Sequence, residues 1–149
     1  MGSIKVYSID EINQKNWNHN IFKRNEEMIM TSEEMIQYKE HLKKTVEVKK
    51  QYLEKRYKKA WGIAKKAAAI LHQKYKAEKV WVFGSLANKE MFNLWSDIDI
   101  AVKGIPPELF YKSVGEVTSL ASDFSIDVVD IEDCSSSLRE NIEKGSILV

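Results

Sequence analysis

Only one cysteine, Cys134, occurs in the 149 residues of this chain. A lone cysteine closes no internal disulfide and cannot build a thiolate metal site. Its setting, Glu132-Asp133-Cys134-Ser135, is too acidic to favour a reactive thiolate. The two prolines stand together at Pro106-Pro107, so none interrupts Thr31 to Lys79. No apolar run reaches the roughly 18 residues of a spanning helix, and no signal-peptide pattern follows Met1-Gly2-Ser3. These absences make a cytoplasmic protein without a membrane partner the default expectation. The three histidines, His19, His41 and His72, are scattered and none lies beside another ligand at zinc spacing. They are expected at surface or packing positions. A chain of this length is one modest domain with room for a real core.

Neither sign of charge is in clear excess, since the net charge is +1. That total conceals two opposed segments. Lys39–Lys79 holds fourteen Lys and Arg against four Glu, a net +10, whereas Val80–Val149 holds twelve acids against five bases, a net −7. The basic segment reads as helix. Thr31 and Glu34 have capping-box spacing. Apolar or small residues then recur at Met35, Leu42, Val46, Leu53, Tyr57, Ala60, Ala64, Ala67 and Leu71, in helical steps. Gly62 is the one weak point, at about 1 kcal/mol against alanine. A helix of about 40 residues would run about 60 Å, more than so small a domain covers. Either it breaks between about Val46 and Gly62, or its first half projects and packs on another chain, a second copy or a helical partner. Lys49-Lys50, Lys55-Arg56 and Lys58-Lys59, interleaved with Tyr52, Tyr57 and Trp61, raise nucleic-acid binding. A solvated lysine face with inward aromatics is the preferred reading of that pattern.

The organisation expected is therefore an N-terminal arm at 1–30, a long basic helix or helix pair at 31–78, and a core at 79–149 packed with the C-terminal half of the helix. Within the arm, Ile4–Ile9 reads as a strand or extended segment, Gln14–Asn20 as a loop, and Met28-Ile29-Met30 as a packing segment. Pro106-Pro107 opens a helix through about Ala121. Ser135 or Ser136 caps the last helix, and Gly145 ends it.

The chemistry is concentrated in Val80–Asp130. Val80–Phe83 is a short apolar run suited to a buried strand, and Gly84 ends it. Glycine permits a sharp turn and close approach of a ligand. Ser85 follows where a helix could begin, its hydroxyl a possible cap and the free N–H groups suited to an anion. Taken alone, Gly-Ser is more often an ordinary turn. Asp97-Ile98-Asp99-Ile100-Ala101-Val102 alternates, so Asp97, Asp99 and Ala101 share one strand face. Two carboxylates at i and i+2 lie roughly 6.5–7 Å apart at their α-carbons. They either sit on a solvated edge or offer hard oxygen ligands to Mg²⁺. Asp127 interrupts the apolar run Ile126–Val129 and supplies a third carboxylate, while Asp123 and Asp130 fall at strand ends.

Gly84-Ser85, Ser96-Asp97-Ile98-Asp99 and Ile126-Asp127-Val128-Val129 together resemble the minimal nucleotidyltransferases of the polymerase-beta-like superfamily, over about Ala60–Val149. Leu138–Val149 looks like the closing helix of that group. The resemblance implies an α/β fold, a small mixed sheet of the polymerase-beta palm-like type flanked by helices, preceded here by the long basic helix. It implies that Gly84 and Ser85 hold the triphosphate and that Asp97, Asp99 and Asp127 bind two Mg²⁺ ions, Asp127 also activating the attacking hydroxyl. ATP or another nucleoside triphosphate is then the substrate. Many members follow Gly-Ser with an arginine and a second glycine. This chain has Leu86-Ala87-Asn88-Lys89 instead, where Lys89 either replaces the missing charge or is a solvated loop residue. No segment after Asp127 is long enough for an acceptor domain, which implies the minimal form paired with a helical HEPN-type toxin as its antitoxin. A free-standing transferase acting on a small molecule or RNA, and a non-catalytic binding module, are the alternatives.

Overall fold

The structure, a computed structural model, describes residues 31–149. The arm, loop and packing segment assigned within 1–30 lie outside these residues. The chain divides into two units, one ending at His41 and the other spanning Leu42–Val149. In the first, the capping box forms: the Thr31 N–H donates to Glu34 Oε2 at 2.8 Å and the Glu34 N–H to Thr31 Oγ1 at 3.2 Å. Helix α1 (Ser32–Gln73) is continuous over 42 residues. The break weighed between Val46 and Gly62 does not occur, since no proline or turn sequence there gives the helix reason to stop.

In the second unit α1 is followed by β1 (Lys79–Phe83), the one-turn α2 (Gly84–Ala87), β2 (Ile98–Lys103), α3 (Pro107–Thr118), β3 (Ile126–Asp130), α4 (Ser136–Gly145) and β4 (Ile147–Leu148). The four strands form one sheet in the order β3-β2-β1-β4. β1 runs antiparallel to both β2 and β4, and β2 parallel to β3, so the sheet is mixed as expected. Strand alternation sorts the side chains. Val80, Val82, Ile98, Ile100, Val102 and Ile126 join the main core with Ala60, Ala64, Ala67 and Leu71 of α1 and Val117 of α3. The run of alanines keeps α1 close to the sheet, and all four core residues named from it are fully buried. The opposite face carries Ala101, with Trp81 and Phe83 beside it, packed on Ile131, Leu138 and Ile142. Helices therefore cover both faces, the three-layer α/β arrangement anticipated.

Polar contacts lock the helices in place. Glu116 of α3 pairs with Lys74 at 2.6 Å and accepts from the buried Tyr75 hydroxyl. That bond holds the Tyr75 hydroxyl above its ordinary range and the Lys74 ammonium and Tyr75 together hold Glu116 below its own. The His72 ring lies 2.8 Å from the Ala77 carbonyl and 3.1 Å from the Val149 carbonyl, a packing role of the kind expected. Ser135 caps α4, its Oγ accepting from the Leu138 N–H at 3.3 Å. Ser135→Ala is expected to cost about 1 kcal/mol, read as a lower midpoint in urea; Ser136→Ala, lacking the cap position, should leave the midpoint unmoved.

One element departs from expectation. The closing segment is helical only to Gly145, and Ile147-Leu148 then pairs with Val82 and Trp81 as a fourth strand. The N–H of Val149 continues the ladder to the Val80 carbonyl at 2.9 Å. Two residues are too few to show strand periodicity, so only the exposed edge of β1 explains the pairing. Among the described residues, no helix is long and apolar enough to cross a membrane.

Candidate functional site

The site begins where β1 must leave the sheet. Phe83 is the last residue of β1 and lies opposite Asp99 in the antiparallel register. Gly84 then takes φ +66°, the left-handed region that favours glycine. A Cβ at this position would overlap Asp99 Oδ2 and stand 3.2 Å from Asp99 Cγ. Glycine is thus required twice, for the turn and for the space the carboxylate occupies. Ser85 lies inside the first turn of α2, whose N-cap is Phe83 and which has no side-chain cap. The expectation that the Ser85 hydroxyl caps this helix is therefore corrected, because the turn starts one residue earlier, at Gly84.

The parallel pairing of β2 and β3 sets Asp99 directly opposite Asp127. Neighbouring strands are about 4.8 Å apart, so the two side chains start from adjacent points on one face. Asp97 sits just before β2, which opens at Ile98 rather than at Asp97 as the alternation suggested. Asp99 is half-buried, while Asp97 and Asp127 are exposed. Burial pushes the Asp99 carboxyl above its ordinary range, and the like charges of Asp127 and then Asp97 push it further. Each acid is thus close enough to Asp99 to perturb it. Among the described residues, no three His, Cys, Asp or Glu side chains form a group that could hold a metal ion unaided. Mg²⁺ seldom needs such a cage; one or two carboxylates, waters and substrate phosphates commonly suffice. An open acidic array beside a glycine turn fits that manner of binding.

Sequence reasoning missed what holds the strand entrances. Arg56 of α1 extends its guanidinium over the Phe124 ring, 4.0 Å from the centroid. Nη1 donates to the Asp123 carbonyl at 3.3 Å and Nη2 to the Ser96 carbonyl at 3.5 Å. Ser96 precedes Asp97, and Asp123 leads into β3, so one side chain ties together the entries of both acid-bearing strands. Lys59 reinforces it with an ion pair to Asp123 at 2.6 Å, which holds the Asp123 carboxyl below its usual range. Arginine suits this position because its planar fork reaches two carbonyls while stacking on a ring. The available signal was a single arginine within a lysine run, four residues before the buried Ala60. Arg56→Ala is expected to cost about 1–3 kcal/mol in denaturant unfolding, and Arg56→Lys to recover only part of it. An unchanged midpoint in Arg56→Ala would show the clamp to be incidental.

Lys89 is held by a partner on α1. Its ammonium pairs with Glu54 of α1 at 2.8 Å and lies 5.3 Å from the Tyr57 ring. Its charge is engaged on the side of α1. Tyr57 in turn meets Phe92 edge-on at 5.1 Å, so this aromatic packs inward.

Residues 65–149 match the family described as polymerase beta, nucleotidyltransferase. No curated protein matches the chain. Similar solved structures include a toxin–antitoxin complex with AMP-PNP, at TM-score 0.46 and 23% identity, covering 56% of this chain and 69% of that one. The MntA–HepT toxin–antitoxin structure gives TM-score 0.43 and 22% identity, covering 58% and 68%. A tri-AMPylated Shewanella oneidensis HEPN toxin in complex with its MNT antitoxin gives TM-score 0.45 and 22% identity, covering 60% and 70%. These are likenesses of fold.

Proposed function

Because the chain belongs to the polymerase beta nucleotidyltransferase family, we propose that it moves a nucleoside monophosphate from a nucleoside triphosphate, ATP foremost, to a hydroxyl acceptor. We propose further that it acts as the antitoxin of a helical HEPN-type toxin, which it binds and adenylylates. The transfer reading rests above all on Asp99, wedged in register between the Phe83-Gly84 turn and Asp127. The antitoxin reading rests on the combined motif Gly84-Ser85, Asp97-x-Asp99 and Asp127.

Asp97, Asp99 and Asp127 would hold Mg²⁺, which when bound neutralises phosphate charge and favours the deprotonated hydroxyl. Gly84 offers a backbone with no side chain in the way, so a triphosphate approaches the end of β1 closely. Asp127, exposed at the rim, takes the proton of the acceptor hydroxyl. The acceptor oxygen bonds to the α-phosphorus, the bond from that phosphorus to the oxygen bridging the β-phosphate breaks, and pyrophosphate leaves with the electron pair. The rest of the domain contributes position, with Arg56 and the strand register setting the acids in place.

Incubation with α-labelled ATP, Mg²⁺ and a purified HEPN-type protein tests the reading. Label is expected on that protein with Mg²⁺ and none with chelator. Label on RNA or a small molecule would replace the acceptor, and nucleotide binding without any transfer would make the chain a binding module.

A further inference from the structure

The core-facing stripe of α1 does not end where the core ends. Leu42, Val46 and Leu53 continue the line of Ala60, Ala64, Ala67 and Leu71 in steps of three, four and seven residues, the same helix face throughout. Among the described residues, burial of that face begins at Leu53. Leu42 is 44% exposed and Val46 64%, where Ala60 and Leu71 are fully buried. At the edge of the covered part lies a groove of about 210 Å³ lined by Lys50, Leu53, Glu54, Tyr57, Lys89 and Phe92. Small-molecule sites commonly occupy roughly 300–1,000 Å³, so this groove suits one large apolar side chain better than a separate ligand.

Charge identifies the occupant. Residues 42–53 carry four lysines, Lys43, Lys44, Lys49 and Lys50, against the single Glu47. Glu47 accepts from Gln51, and Glu54 is paired with Lys89. Lys43 and Lys50 are seven residues apart and line one side of the stripe, and Lys49 lies one turn from Val46. Two copies joined through this face would set lysine against lysine, which destabilises a helical seam. We propose that the Leu42–Val46–Leu53 face and the adjoining groove dock an amphipathic helix of another protein, its apolar seam flanked by acidic residues. The site needs neither nucleotide nor the carboxylates, so it stands or falls separately from the transferase reading.

The test uses the full chain and two synthetic helical peptides with one leucine seam, flanked by glutamate in one and lysine in the other. Fluorescence anisotropy is expected to show the glutamate peptide binding at least tenfold tighter. Leu42→Gln/Val46→Gln, which keeps good helix formers at exposed positions, is expected to weaken that binding at least tenfold and leave ATP binding unchanged. Equal affinity for the two peptides, binding of neither, or indifference to the double substitution overturns the proposal. Sedimentation showing a dimer of the parent chain that the double substitution dissolves would assign the face to a second copy. A lower thermal midpoint in a monomeric variant would assign it to residues of the same chain. Either result also overturns the proposal.

Discussion

Asp99→Asn is expected to reduce nucleotidyl transfer at least about a thousandfold, or about 4 kcal/mol of transition-state stabilisation, while making the metal-free protein more stable at neutral pH. Both effects come from one position. Asp99 is the half-buried member of the three acids and faces Gly84 on one side and Asp127 on the other. Its carboxylate is the one whose loss most disrupts the array. The same closeness is unfavourable without a cation, since burial, Asp127 and Asp97 all raise its affinity for a proton. The folded protein therefore binds this proton more tightly than the unfolded chain does. Stability must then fall as pH rises from the ordinary aspartate value of 3.8 through the raised folded value, and stay lower above it. Asparagine removes this fall. Thermal melts in chelator from acid to neutral pH should show the parent losing ground to Asp99→Asn as pH climbs, and parallel curves would remove the electrostatic account. Full transfer by the variant would sink the catalytic assignment.

Gly84→Ala ranks next in expected effect. An alanine at φ +66° is strained wherever it sits, and here its methyl also overlaps the Asp99 carboxylate. Left-handed strain and relief of the overlap together are expected to cost about 1–3 kcal/mol of stability. Asp99 must swing aside or β1 must shift, and a displacement near 1 Å in a positioned group costs roughly a hundredfold in rate. Urea unfolding and initial rates at saturating ATP measure the two consequences. A loss of stability with an undiminished rate would mean that Asp99 can move without harm, and so that its position is not what catalysis needs. Gly62→Ala is the matched control, because a methyl there meets nothing within 4 Å and α1 gains a better helix former.

Much of this molecule was legible without coordinates because the signals were local. The α1 stripe repeats over many turns, and its capping box needs only Thr31 and Glu34. The alternation at Asp97–Val102 and the apolar run broken by Asp127 announced two strands with acids on them. The three-layer order followed from helix and strand alternating along the chain. The misses were at boundaries and at long range. Asp97 falls one residue outside β2, and the N-cap of α2 is Phe83, two residues before Ser85. β4 was missed because Ile147 and Leu148 become a strand only when the edge of β1 is present to pair with them.

The sequence by itself determined the longer helices, the first three strands and the types of residue available for chemistry, since propensity, periodicity and turn chemistry act within a few neighbouring residues. Only the tertiary structure decided which of those residues meet. The opposition of Asp99 and Asp127 depends on a parallel register that many pairings of the same strands could have avoided. The reach of Arg56 to Asp123 spans 67 residues of chain, and the pairing of Lys89 with Glu54 likewise joins separate segments. Contacts of that kind are selected by how the core closes. Among the described residues, Leu42 and Val46 stay exposed, although their spacing marks them for burial as clearly as that of Ala60.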